Sequence, residues 1–167
     1  MGRWIDAIRM HRVAVVVQTP AANNSTDYRV TFEVPISKMD TRTAEQWVRA
    51  IFEDVPRPVR WFLLLGWRGV LGLRLGPRAS PDHILGWQIV SRDPREVRLE
   101  LHSALMKVQQ TWHLSNSTAV WSTIVSYKKP LARPLWAVVG VIHRQMVPYL
   151  LGYAASCQVS TTPSSTA

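Results

Sequence analysis

Cysteine is almost absent: Cys157 is the only one in 167 residues. A single thiol makes no intrachain disulfide and no thiolate metal cluster. A reduced, cytoplasmic setting is the expectation. A secretory signal is missing too. Val13 to Val17 is too short an apolar core, and no small-residue cleavage site follows it. No apolar run is long and uncharged enough to cross a bilayer. The best candidate, Leu135 to Ala155, carries His143, Arg144 and Gln145 near its centre, where a charge is expensive in hydrocarbon. A soluble helix is the expectation there.

Acidic residues are also few, 11 against 20 Lys and Arg, for a formal charge of +9. The basic excess is scattered along the chain, with adjacent pairs only at His11-Arg12, Lys128-Lys129 and His143-Arg144. A nucleic-acid binder concentrates its charge on one face, so nucleic acid is not an expected partner. The chain has no G-x-G-x-x-G, no phosphate loop and no G-x-S-x-G elbow. No two histidines have metal-ligand spacing on one element. No cofactor and no metal are expected.

What is present is hydrophobic pattern. Hydrophobic residues make up 47% of the chain, and eight of them are tryptophan. Tyr28 to Val34 alternates apolar and polar, which predicts a half-buried strand. Asp40 or Thr41 is placed to cap a helix whose stripe is Ala44, Trp47, Val48, Ile51 and Phe52. Trp61 to Leu75 is apolar with three glycines. It fits a core-packing helix pair, a lid over a cavity, or an interfacial helix with tryptophan anchors. Four strands then follow: Ile84 to Ser91, Arg95 to His102, Met106 to Leu114 and Thr118 to Tyr127. Their hairpin-length links predict an antiparallel meander. From Leu135, apolar residues recur at three- and four-residue steps to Tyr153, which is helix spacing. Pro134 suits its first turn, and Pro148 is expected to kink or end it.

The expected fold is therefore α+β, an antiparallel meander gripping a long C-terminal helix. Residues 1–27 read as leader and linker, with a short strand at Val13 to Val17. Residues 28–155 read as the domain, and 156–167 as a polar tail that stays disordered.

Several phrases resemble a known family. They are Ser122-Thr123-Ile124-Val125, Pro130-Leu131-Ala132-Arg133-Pro134-Leu135-Trp136, and Ile142-His143-Arg144-Gln145-Met146-Val147. The stretch Glu45 to Phe52 is similar to that family's first helix. Together they resemble the bacterial family catalogued as domain of unknown function 2867, grouped with the START-like, or SRPBCC, helix-grip proteins. Tyr127-Lys128 and Ala132 depart from its pattern. The resemblance implies a helix-grip fold and an apolar or amphipathic small-molecule ligand, such as a lipid, isoprenoid or polyketide.

A curved sheet gripping a helix leaves a cavity between them. The residues expected to line it are Trp87, Leu99, Leu101, Val108, Gln110, Trp112, Thr123, Val125, Ile142, His143 and Met146. Gln110 is polar on an apolar strand face and needs a partner if buried: a ligand, a water or Thr123. His143 shares a helix stripe with Val139, Met146 and Leu150. It fits a ligand-bonding residue, an acid-base group of a cyclase- or dehydratase-type enzyme, or a histidine pinned structurally to the sheet. Arg144 is expected to face outward or to pair with Glu100. The expected partner is a small apolar ligand, and a membrane-surface or protein-interaction module is the alternative.

Overall fold

Alternation and hairpin-length links build most of the molecule. The computed structural model describes residues 14–16, 28–37 and 40–156. Its strands are β1 (Ala14–Val16), β2 (Tyr28–Pro35), β3 (Ala79–Ser80), β4 (His83–Ile84), β5 (Trp87–Arg92), β6 (Glu96–His102), β7 (Met106–Leu114) and β8 (Thr118–Tyr127). The helices are α1 (Ala44–Phe52), α2 (Arg57–Leu64) and α3 (Ala132–Ser156). All eight strands join one antiparallel sheet in the order β1-β2-β8-β7-β6-β5-β4-β3. The chain lays down one edge, crosses through α1 and α2, restarts at the far edge and meanders back until β8 lies beside β2.

The period-two pattern sets which face is inward. Val97, Leu99 and Leu101 of β6 are buried, and so are Met106, Val108, Gln110, Trp112 and Leu114 of β7. On β8 the same face carries Ala119, Trp121, Thr123 and Val125. The reverse face of β6 and β7 is wet and charged, and Glu100 there bonds Lys107, Gln109 and His102. That leaves Arg144 no role at Glu100; it is exposed and reaches toward Tyr28 Oη at 3.5 Å. Strand β5 departs from its pattern. It is apolar on both faces in sequence, yet only Trp87 is buried and Val90 is exposed. A register shift between Ile89 and Ser91 turns this end of the sheet outward.

Helix α1 is capped by Thr43, not by Asp40 or Thr41. Thr43 Oγ1 accepts from Gln46 N–H, and Gln46 Oε1 accepts from Thr43 N–H, the reciprocal box that satisfies two orphan donors. Asp40 does other work, accepting from Arg42 and from the Trp47 indole N–H at 2.9 Å. Burial pushes its carboxyl up, but the Arg42 guanidinium and backbone N–H and the Trp47 N–H outweigh this and hold it below the usual range. Along α1, Arg49 joins Glu45 and Glu53 at four-residue spacing. Its inner stripe, Trp47, Val48, Ile51 and Phe52, packs over β6 and β7.

Trp61 to Leu75 makes one short helix and a widened turn. Helix α2 starts after Pro56 and runs into a π-helical turn, Leu65–Val70, where Leu71 N–H bonds Gly66 O. Such five-residue turns are rare and often sit at functional sites. Gly72, at φ +60°, ends it. The hairpin between β4 and β5 turns on Leu85 and Gly86, both at positive φ, as a two-residue turn of matching twist requires.

Helix α3 begins two residues before Pro134 and continues through Pro148 without ending. It packs chiefly on α1 and β2. Near its C-terminal end the Arg42 guanidinium donates to Ala154 O and Tyr153 Oη donates to Asp54 O. No described helix is long and apolar enough to cross a membrane.

Candidate functional site

Because α3 rests on β2 and α1, it stands off the centre of the sheet. The space beneath it is a cavity of about 200 Å³. A water-sized site takes roughly 10–15 Å³ on this scale, so the space suits an organic molecule of roughly a dozen heavy atoms. Three walls enclose it. The sheet gives Trp87, Val108, Gln110, Trp121 and Thr123; α3 gives residues from Trp136 to Leu150; Phe52 and the 62–73 segment close the remaining side.

Of the eleven residues expected on the wall, Trp87, Val108, Gln110, Thr123, Ile142, His143 and Met146 line the cavity. Leu99, Leu101, Trp112 and Val125 do not; all four are buried in the core. The reason is that two elements share the inward sheet face. Helix α1 covers β6 and part of β7, so Leu99 and Leu101 belong to core. Trp112 is stacked on Trp121, with ring centroids 4.1 Å apart, and Trp121 is the ring that reaches the wall. Trp121 was legible in principle, since it sits two residues before Thr123 on the same strand face. The contribution of Phe62, Leu65, Trp67, Val70 and Leu73 had no local signal beyond apolarity.

Among the described residues the wall is almost wholly apolar and carries no Asp, Glu, Lys or Arg. Its polar groups converge on one place. Gln110 and Thr123 face each other across β7 and β8. Thr123 Oγ1 lies 3.3 Å from His143 Nε2. Gln110 Oε1 and His143 Nδ1 are shut off from solvent without a hydrogen-bond partner among the described residues. So are the indole N–H groups of Trp87, Trp121 and Trp136. Most buried polar groups in folded proteins are satisfied; five of the eight unpartnered atoms among the described residues are on cavity-lining residues, the others being Arg60 Nε, Trp112 Nε1 and Tyr149 Oη.

His143 as a residue is only partly buried, but its ring is packed among Phe32, Trp121 and Trp136. Burial lowers its pKa to about 4, with the nearby Arg144 charge adding to the effect. It is a neutral imidazole at pH 7.

The cavity opens between the 62–70 segment and α3. Phe62, Leu65, Val70 and Ile142 line it and are exposed at the same time. Trp61 on α2 and Val138 and Val141 on α3 are exposed as well.

No family model matches the chain, and no curated protein matches it in sequence. Three solved structures superpose on it loosely. Protein Ms6760 from Mycobacterium smegmatis gives a TM-score of 0.49 at 13% identity, over 90% of this chain and 99% of that one. A structural-genomics protein from Rhodobacter sphaeroides gives 0.46 at 13% identity, over 88% and 99%. CalU16 from Micromonospora echinospora gives 0.39 at 12%, over 89% and 88%. At these values the likenesses say nothing about what this chain binds.

Proposed function

We propose that this chain is a binding module of the helix-grip, START-like kind, taking a small apolar or amphipathic molecule between its sheet and its long helix. The observation that carries this is the cavity: wide enough for an organic ligand, nearly free of polar wall, and open at an apolar mouth. Ligand sites have this character, concave and apolar with a few placed polar groups. Binding is favoured over cyclase or dehydratase chemistry because, among the described residues, the wall offers no carboxylate or lysine beside His143. An imidazole held near 4 is also a weak base at neutral pH. Titration of tryptophan fluorescence with fatty alcohols, isoprenoids and aromatic polyketides is expected to saturate, because Trp87, Trp121 and Trp136 line the cavity. Met146→Trp, which fills the space, is expected to abolish saturation while the fold persists. If no compound saturates, and native mass spectrometry finds nothing co-purifying, the reading is wrong.

The exposed rim supports transient contact with a membrane surface as a second role. Trp61, Phe62 and Leu65 are exposed apolar side chains, and Arg57 and Arg68 on the same segment are exposed too. An amphipathic surface of this kind seats in the headgroup region and prefers anionic lipid. Co-sedimentation with anionic vesicles that weakens with salt and with Trp61→Ser is the expected result. Equal recovery in the supernatant with and without vesicles rejects it.

A further inference from the structure

Two kinds of unpaired polar group on the cavity wall have a definite sense, the Gln110 carbonyl oxygen and the indole N–H groups. Gln110 is 3% exposed and Thr123 is fully buried, and both lie on the wall with His143. The Thr123–His143 contact works in either direction, with Nε2–H donating to Oγ1 or Oγ1–H donating to Nε2. Either way Gln110 Oε1 is a buried acceptor without a donor. Trp121, next on the same strand face as Thr123, offers an indole N–H without an acceptor. An empty acceptor and an empty donor on one wall call for a group that both gives and takes a hydrogen bond. A hydroxyl does both through one atom. An ether or ketone only takes. A carboxylate only takes, and it arrives charged into a wall with no Lys or Arg among the described residues. Arg144, next to His143, is exposed and turned to Tyr28 Oη. Burying an unpaired charge is heavily penalised.

Resting on the binding reading above, we propose that Gln110, Thr123 and Trp121 form a recognition point for the hydroxyl of a neutral apolar ligand. The cavity then selects alcohols over matched ethers and carboxylates.

Three probes with closely similar chains separate the possibilities: 1-decanol, 1-methoxynonane and decanoate, titrated by tryptophan fluorescence at pH 8. The alcohol is expected to bind at least about tenfold tighter than the ether. That factor corresponds to roughly 1.4 kcal/mol, the size of an ordinary hydrogen bond. Decanoate is expected to bind at least about a hundredfold more weakly than the alcohol. In Gln110→Leu the alcohol's advantage over the ether is expected to vanish while ether affinity is kept or improved. Gln110→Met is the substitute should the leucine variant not fold, as judged by its melting curve. Equal affinity for alcohol and ether, or tighter binding of decanoate, overturns the hydroxyl proposal and leaves the binding reading standing. Binding of none of the three overturns the hydroxyl proposal, and the binding reading falls with it only when the isoprenoid and polyketide titrations and native mass spectrometry are blank as well.

Discussion

Protonating His143 must cost the folded state, and the cost can be worked out. Its folded pKa is about 4, against 6.5 for a solvated histidine. As pH falls below the higher value, the unfolded chain takes up a proton that the folded chain refuses. Stability therefore falls with pH through this window, with the loss complete near the lower value. At pH 5.0 the two protonation curves differ by about 2 kcal/mol, and the full separation is worth about 3 kcal/mol. Asp40 and Glu100 do not confuse this window. Their carboxyls are held below 3.8 and 4.5, so the stability they give is present above those values and is lost only at lower pH. Denaturant unfolding at pH 7.5, 6.0 and 5.0 reads the effect, and His143→Leu isolates it. Between pH 7.5 and 5.0 the unsubstituted chain is expected to lose about 2 kcal/mol more than the variant, or about 4–8 °C in Tm for this size of domain. Parallel pH profiles for the two proteins would refute the reasoning, since the ring would then be charged or solvated in the folded state.

Three further outcomes follow from particular contacts. Asp40→Ala strips the partner from Arg42 and from the Trp47 indole and is expected to cost about 3 kcal/mol, read by urea unfolding. Gly140→Ala puts a methyl 3.5 Å from Trp136 Nε1, an ordinary contact, in the middle of a helix, and is expected to raise stability by about 0.5–1 kcal/mol, read as a higher Tm. A chain trimmed to residues 28–155 loses from the sheet the edge strand Ala14–Val16. It is expected to melt within about 10 °C of the full chain; a larger drop, worth more than about 2 kcal/mol, moves the domain boundary upstream.

Much of this architecture could be read from the chain because its elements are long and regular. Strands β6 to β8 alternate over seven to ten residues, enough to fix both their faces and their order. Helix α3 has helix spacing over several turns. Pro148 does not end the helix, the second of the two outcomes expected of it; Val147, Leu150 and Leu151 stay buried on either side of it, and packing outweighs the lost backbone bond. Two-residue strands such as β3 and β4 have no period to detect. The candidate site was half legible. Gln110, Thr123 and His143 stood out as polar residues on apolar stripes. What the pattern could not say was which part of a continuous apolar sheet face α1 would cover and which part α3 would leave open. That division put Leu99 and Leu101 into core and brought Trp121 and the 62–73 segment to the wall.

Phe52 meets Trp67, Trp112 and Trp121 edge-on, at centroid distances of 5.3, 6.4 and 5.7 Å. One ring thus braces the cavity wall and the core at once. Truncating such a ring costs roughly 3–5 kcal/mol, a large part of what a domain has to spare. Over evolutionary time the deep wall is therefore held still by the fold's own viability. Phe62, Leu65, Val70 and Ile142, half in the cavity and half in water, carry less of that burden. Descendants of this sequence are free to change the side chains at the mouth long before they can change those at the floor.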